Sequence, residues 1–144
     1  MGAAGTATFG AAASEHPDPA HAVAEAAGAV LEQVGPRPDV ATLFVSAAHL
    51  GAIDDIAGAC RAILEPVTRI GATAAAVIAG PVEIEDGPAV SVWAGRTGPA
   101  ESVRLEAVRG PEGTVVVGLP DQAGVGRRTL VLLADPYSFP SEAL

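Results

Sequence analysis

Between Val23 and Leu64 apolar residues recur at helical spacing in two stretches, and around those stretches they gather in short β-branched runs. The first run, Thr6 to Ala13, predicts a strand. Ser14-Glu15-His16-Pro17-Asp18-Pro19 then punctuates the chain, with Asp18 suited to cap a helix and Pro19 to its first position, where a missing N–H costs nothing. Val23, Ala27, Val30, Leu31 and Val34 form the apolar stripe of that helix, His21, Glu25 and Glu32 lie opposite, and Gly35-Pro36 closes it. Asp39 to Ser46 carries Val40, Leu43, Phe44 and Val45 in the near-continuous run expected of a strand covered on both faces. A second amphipathic helix follows from Ile53, Ile56, Ala57, Cys60, Ile63 and Leu64, with Asp54 and Asp55 near the positive end of its dipole and Glu65-Pro66 as its stop.

Thr68 to Ile78 starts as a strand, although its alanine run suits a helix or a loop equally. Val82 to Glu85, Ala89 to Ala94, Ser102 to Val108, Thr114 to Gly118 and Thr129 to Ala134 are β-branched or alternating segments divided by Gly, Pro and Asp. The order β-α-β-α-β followed by further strands predicts an α/β fold. Its sheet should start parallel and be completed by an antiparallel, β-rich second half, with helices covering it. The 144 residues read as a single domain.

Composition removes several classes of function. Asp and Glu number 17 against 8 basic residues, none of them lysine, for a net charge of −9, so no basic face is available to exchange with the counterions of a nucleic acid. The mean hydropathy of +0.38 reflects alanine. The longest weakly polar run, Ile70 to Gly80, falls far short of the roughly 20 residues a membrane span needs. Nothing basic near Met1 resembles a signal peptide, and Cys60, the single cysteine, can form neither an internal disulfide nor a CxxC site, which together point to a reducing cytoplasm.

Candidate chemistry follows from the strand order. If the early strands run parallel, their carboxyl ends share one edge, where open α/β sheets bind ligands. Ser14 and Glu15 follow the first strand, Ser46 and His49 follow the second, Thr73 lies near the end of the third, and Asp135, Tyr137 and Ser138 follow the late run Leu130 to Ala134. One reading is a small polar ligand pocket; the other is a set of turn residues that cap helices. Cys60 lies on an apolar stripe and is expected to be a buried, unreactive thiol. His16, His21 and His49 lack the i, i+4 spacing of a helical metal pair, so no metal or other cofactor is expected. Gly124-Val125-Gly126-Arg127-Arg128 has neither the spacing nor the ending of a phosphate cradle and reads as a hairpin loop. No nucleophile stands beside a base, so the chain is not expected to be an enzyme.

Three stretches carry a family resemblance: Arg69-Ile-Gly-Ala-Thr-Ala-Ala-Ala-Val-Ile-Ala-Gly80, Val82-Glu-Ile-Glu-Asp-Gly-Pro-Ala-Val-Ser-Val92 and Leu130-Val-Leu-Leu-Ala-Asp-Pro-Tyr-Ser-Phe-Pro140. In combination they resemble the N-terminal FIST domain (F-box and intracellular signal transduction), which occurs in bacterial signalling proteins ahead of a C-terminal FIST domain. Gly71 and Thr73 match the family's Gly-Cys-Ser/Thr turn, Glu83, Glu85, Asp86 and Gly87 its Glu-x-Glu-Asp-Gly segment, and Asp135 to Pro140 its Asp-Pro-Phe-Ser-Phe-Pro loop; Ala72, Ala75 and Ala76 depart from it. The resemblance implies a non-catalytic sensory domain that binds a small polar ligand such as an amino acid and signals to a FIST C-terminal or other output domain; Thr73, Asp135 and Tyr137 lie in the matched stretches, and placement at the strand ends adds Ser46 and His49 as ligand-binding residues. It also implies the front portion of a longer unit, or a short member completed by pairing with another chain into a homo-oligomer. An assembly module without a ligand is the competing expectation.

Overall fold

The computed structural model describes residues 8–120, 126 and 128–140, which gather in two compact units, Met1–Glu101 and Ser102–Leu144. The first unit runs β1 (Phe9–Ser14), α1 (Pro19–Val34), β2 (Val40–Ser46), a 3-10 turn (Ala47–Ala52), α2 (Ile53–Leu64), β3 (Thr68–Ala74), β4 (Val77–Ala79), β5 (Val82–Ile84) and β6 (Val90–Gly95). The fold is mixed α/β, as the element order predicts.

Local chemistry sets both ends of α1 and the end of α2. At α1 the Asp18 carboxylate accepts the His21 N–H at 2.9 Å, Pro19 opens the helix, and the Gly35 N–H reaches back to the Leu31 carbonyl. At α2 the chain leaves the helix at Glu65 in the left-handed region (φ 49°), immediately before Pro66.

The four-stranded sheet has the order β1-β6-β2-β3. β2 and β3 pair in parallel, with Leu43 opposite Gly71 and Val45 opposite Thr73. β6 pairs antiparallel with both β1 and β2. The strands β1, β2 and β3 therefore point the same way, but β1 and β2 are separated by β6 rather than adjacent. Valines at 90 and 92 explain the insertion: β6 is buried along its length apart from Trp93, which is what a central strand requires.

The two faces of the sheet are covered differently. Ala41, Leu43 and Val45 of β2 and Val90, Val92 and Ala94 of β6 pack with Val23, Ala27 and Val30 of α1 and Ile56, Cys60 and Leu64 of α2. On the opposite face the β4-β5 hairpin places Val77 and Ile84 with Ala89 over Ala13, Phe44 and Ala74. The rest of that face is only partly covered: Phe9 is 52% exposed and stacks on the half-buried Trp93 at a centroid distance of 5.6 Å. Among the described residues, no helix is long and apolar enough to cross a membrane.

The second unit contains one antiparallel pair, β7 (Glu106–Gly110) and β8 (Gly113–Val117), in which Val108 faces Val115. The strand expected over Ser102 to Val108 thus begins later, at Glu106. Thr129 to Ala134 forms no strand, and Leu130 and Val131 are 52% and 64% exposed. Its residues have β propensity, but propensity expresses packing on a neighbour, and no neighbour pairs with it among the described residues. Most of the Gly124 to Arg128 loop lies outside the described residues.

Candidate functional site

The shared direction of β1, β2 and β3 brings their carboxyl ends to one edge of the first unit. Ser46 ends β2 there, buried to 5% exposure. Its hydroxyl donates to the Gly87 carbonyl at 2.9 Å and accepts the Ala89 N–H at 2.8 Å, while its own N–H bonds the Ala89 carbonyl. Ser46 therefore latches the end of β2 to the segment entering β6. This joins two stretches singled out in the sequence, since Gly87 closes the Glu83 to Gly87 segment and takes the positive φ (91°) that the turn demands. Ser46→Ala is expected to cost about 1–2 kcal/mol, because the buried Ala89 N–H loses its acceptor. Urea denaturation measures it; an unchanged midpoint would show that the latch contributes nothing.

His49 lies in the 3-10 turn, 4% exposed, with Nε2 3.2 Å from the His16 carbonyl. It ties the turn after β2 to the segment after β1. Thr73 differs from both. It stands exposed on β3 and lines a hollow of about 270 Å³ with Ala47, Leu50, Ala74 and Ala75. A second hollow of about 270 Å³ lies between α2 and β3, lined by residues including Ile53, Ala57, Arg69 and Gly71. Arg69 donates to the Ala57 carbonyl, so its guanidinium bridges β3 to α2. Burial pushes the Cys60 thiol above its ordinary range, an effect that the charge of Arg69 partly offsets. Gly71, matched by resemblance to a turn, lies within β3.

Asp135 and Tyr137 belong to the second unit. The Asp135 carboxylate accepts the Ser138 hydroxyl at 2.7 Å and the Tyr137 N–H at 3.0 Å, and these bonds, the hydroxyl's first, hold its pKa below the usual carboxylate value. Tyr137 is 98% exposed. The structure thus gathers Ser46, His49 and Thr73 at one edge of the first unit, and Asp135 and Tyr137 in one turn of the second.

One cluster escapes a search for i, i+4 pairs. His16, Asp18 and His21 each offer a ligand atom, all within 4.8 Å of one another, because the N-cap turn of α1 folds position 16 back over position 21. The imidazoles stack with centroids 4.8 Å apart. His21 Nδ1 lies 2.9 Å from Asp18 Oδ1, and His16 Nδ1 accepts the Asp18 N–H at 3.0 Å. The His21 backbone N–H, followed by its side chain, lowers the Asp18 pKa. Because the folded value is the lower one, this contribution to stability is present above the ordinary carboxyl pKa and is lost as pH falls through the lowered one. The sequence signal for the cluster is His-x-Asp-x-x-His spanning a helix cap, with prolines at 17 and 19.

No protein-family profile and no solved structure matches the chain. It is similar to mycobacterial proteins described as uncharacterized. One of these, Rv0628c of Mycobacterium tuberculosis, is 38% identical over 137 residues, which cover 94% of this chain and 36% of that protein. Another, Mb0898c of Mycobacterium bovis, is 37% identical over 129 residues, covering 89% and 33% respectively. The chain thus spans about a third of the length of the curated relatives it matches.

Proposed function

We propose that the chain is a non-catalytic, FIST-type sensory domain of the cytoplasm that binds a small polar molecule, of which an amino acid is the best example, and reports occupancy to an output domain. The observation that carries this reading is the common edge of β1, β2 and β3, where Thr73 presents a free-standing exposed position in a hollow beside the 3-10 turn. Ligands of α/β sheets bind at such edges. Ser46 and His49 have internal partners and serve this site as its frame, holding the turn that forms one wall. The family resemblance of the Arg69 to Gly80 stretch supports the same place. The greater length of the mycobacterial relatives is in keeping with a domain that works within a larger protein.

The assembly reading has an observation of its own, the partly covered sheet face with Phe9 stacked on Trp93. Thermal unfolding against a panel of free amino acids separates the two. A rise in Tm with one class of amino acid that grows with its concentration, and that Thr73→Val reduces, is the expected result. A Tm that rises with protein concentration and answers to none of the panel would overturn the sensory reading in favour of assembly.

A further inference from the structure

We infer that His16, Asp18 and His21 form a binding site for a late divalent transition metal, of the zinc, nickel or copper class, at the start of α1. The inference stands apart from the amino-acid site, because it uses none of that site's residues and is read by metal alone.

The donor set is the first argument. Two imidazoles and one carboxylate suit late divalent ions, which imidazole prefers over magnesium or calcium. Bonds of about 2.0–2.2 Å to nitrogen and oxygen place neighbouring ligands of one ion roughly 3 Å or slightly more apart. The 2.9 Å separation of His21 Nδ1 and Asp18 Oδ1 is already one such edge, and the third donor lies within 4.8 Å of both, so the His16 ring closes the set by side-chain rotation.

Preorganisation is the second argument. Asp18 is fixed by its cap bond to the His21 N–H, Pro17 and Pro19 restrict the backbone between the ligands, and the His16 carbonyl is anchored by His49 Nε2. Most of the ordering that a metal would impose is therefore present before it arrives.

Charge is the third. The partial positive charge at the start of α1 opposes any cation, and the Asp18 carboxylate compensates for it. Binding then depends on donation from nitrogen rather than on field strength, which again selects imidazole-preferring ions. On binding, the metal takes the place of the hydrogen bond between His21 Nδ1 and Asp18 Oδ1; the neutral imidazole then carries its single hydrogen on Nε2, so its proton count is unchanged, and His16 exchanges any hydrogen bond it gives up for a metal bond. Three protein ligands leave further positions for water or for a small donor molecule.

Calorimetric titration of the untagged 144-residue chain with zinc chloride tests the site, with His21→Gln and His16→Gln as variants. One equivalent of zinc should bind in the micromolar range, and each variant should weaken binding at least about tenfold. His21 is an exposed helix position, so H21Q should leave the metal-free Tm almost unchanged, which separates loss of a ligand from loss of fold. No saturable heat, or binding in either variant as strong as in the unsubstituted chain, would overturn the assignment.

Discussion

Ile56→Ala is expected to lower the unfolding free energy of the first unit by about 2–5 kcal/mol, the range for truncating a buried isoleucine. Ile56 is 1% exposed and belongs to the cluster that joins α2 to α1 and to the helix-side residues of β2 and β6. The cluster is rich in small side chains, Ala22, Ala26, Ala27 and Ala41 among them, which have no spare reach to close a void. The cost therefore has two parts, lost transfer energy and a residual cavity. Urea denaturation followed by circular dichroism reads it. A loss below about 1 kcal/mol would mean that α2 does not pack on this core as described.

Gly71→Ala should cost about 3 kcal/mol, at the upper end of the usual range for overpacking. A Cβ placed on Gly71 would stand 2.3 Å from the Leu43 carbonyl oxygen and 3.3 Å from its Cβ. The first is a main-chain atom of the paired strand β2, so relief requires β3 to move away and strain the ladder that holds it. Because β3 lies at the sheet edge, we expect the loss to localise: amide hydrogen exchange should quicken over Ile70 to Ala74 more than over β6. If the variant keeps both its denaturation midpoint and its exchange pattern, the close approach of β3 to β2 is not a constraint.

The Gly71 variant bears on the proposed site through the strand that forms its wall. Gly71 lies two residues before Thr73 on the same strand. A small residue at 71 lets β3 approach β2 closely enough for Val45 and Thr73 to stand opposite one another.

Helix limits were legible because short-range chemistry sets them. Asp18-Pro19 and Glu65-Pro66 act on their own neighbours, and α1 and α2 begin and end beside them. The double-sided burial of β2 was legible for a similar reason, since Leu43 and Val45 face the helices while Phe44 meets the β4-β5 hairpin. The alanine run after Thr73 was not legible: the strand ends at Ala74, and the chain bends at Ala75 and Ala76 before β4. Alanine suits helix, turn and strand about equally in such a context, so neighbours chose among them. Ser46 makes the same point about the site. Its bonds go to Gly87 and Ala89, 41 and 43 residues away, and nothing local to Ser46 distinguishes that partner from a ligand.

What the amino-acid order determined by itself was the set of pieces: two amphipathic helices, the first capped by Asp18, a strand apolar on both faces, a lone buried thiol and an acidic surface. These follow from side-chain period, dihedral preference and charge, which act over a few residues. Only the tertiary structure decided that β6 enters between β1 and β2, that Ser46 serves as a latch, and that His16 and His21 stack across Asp18. Those outcomes depend on which hydrogen-bonding groups and apolar faces meet across long separations, a choice made by packing the whole unit together rather than by any one segment.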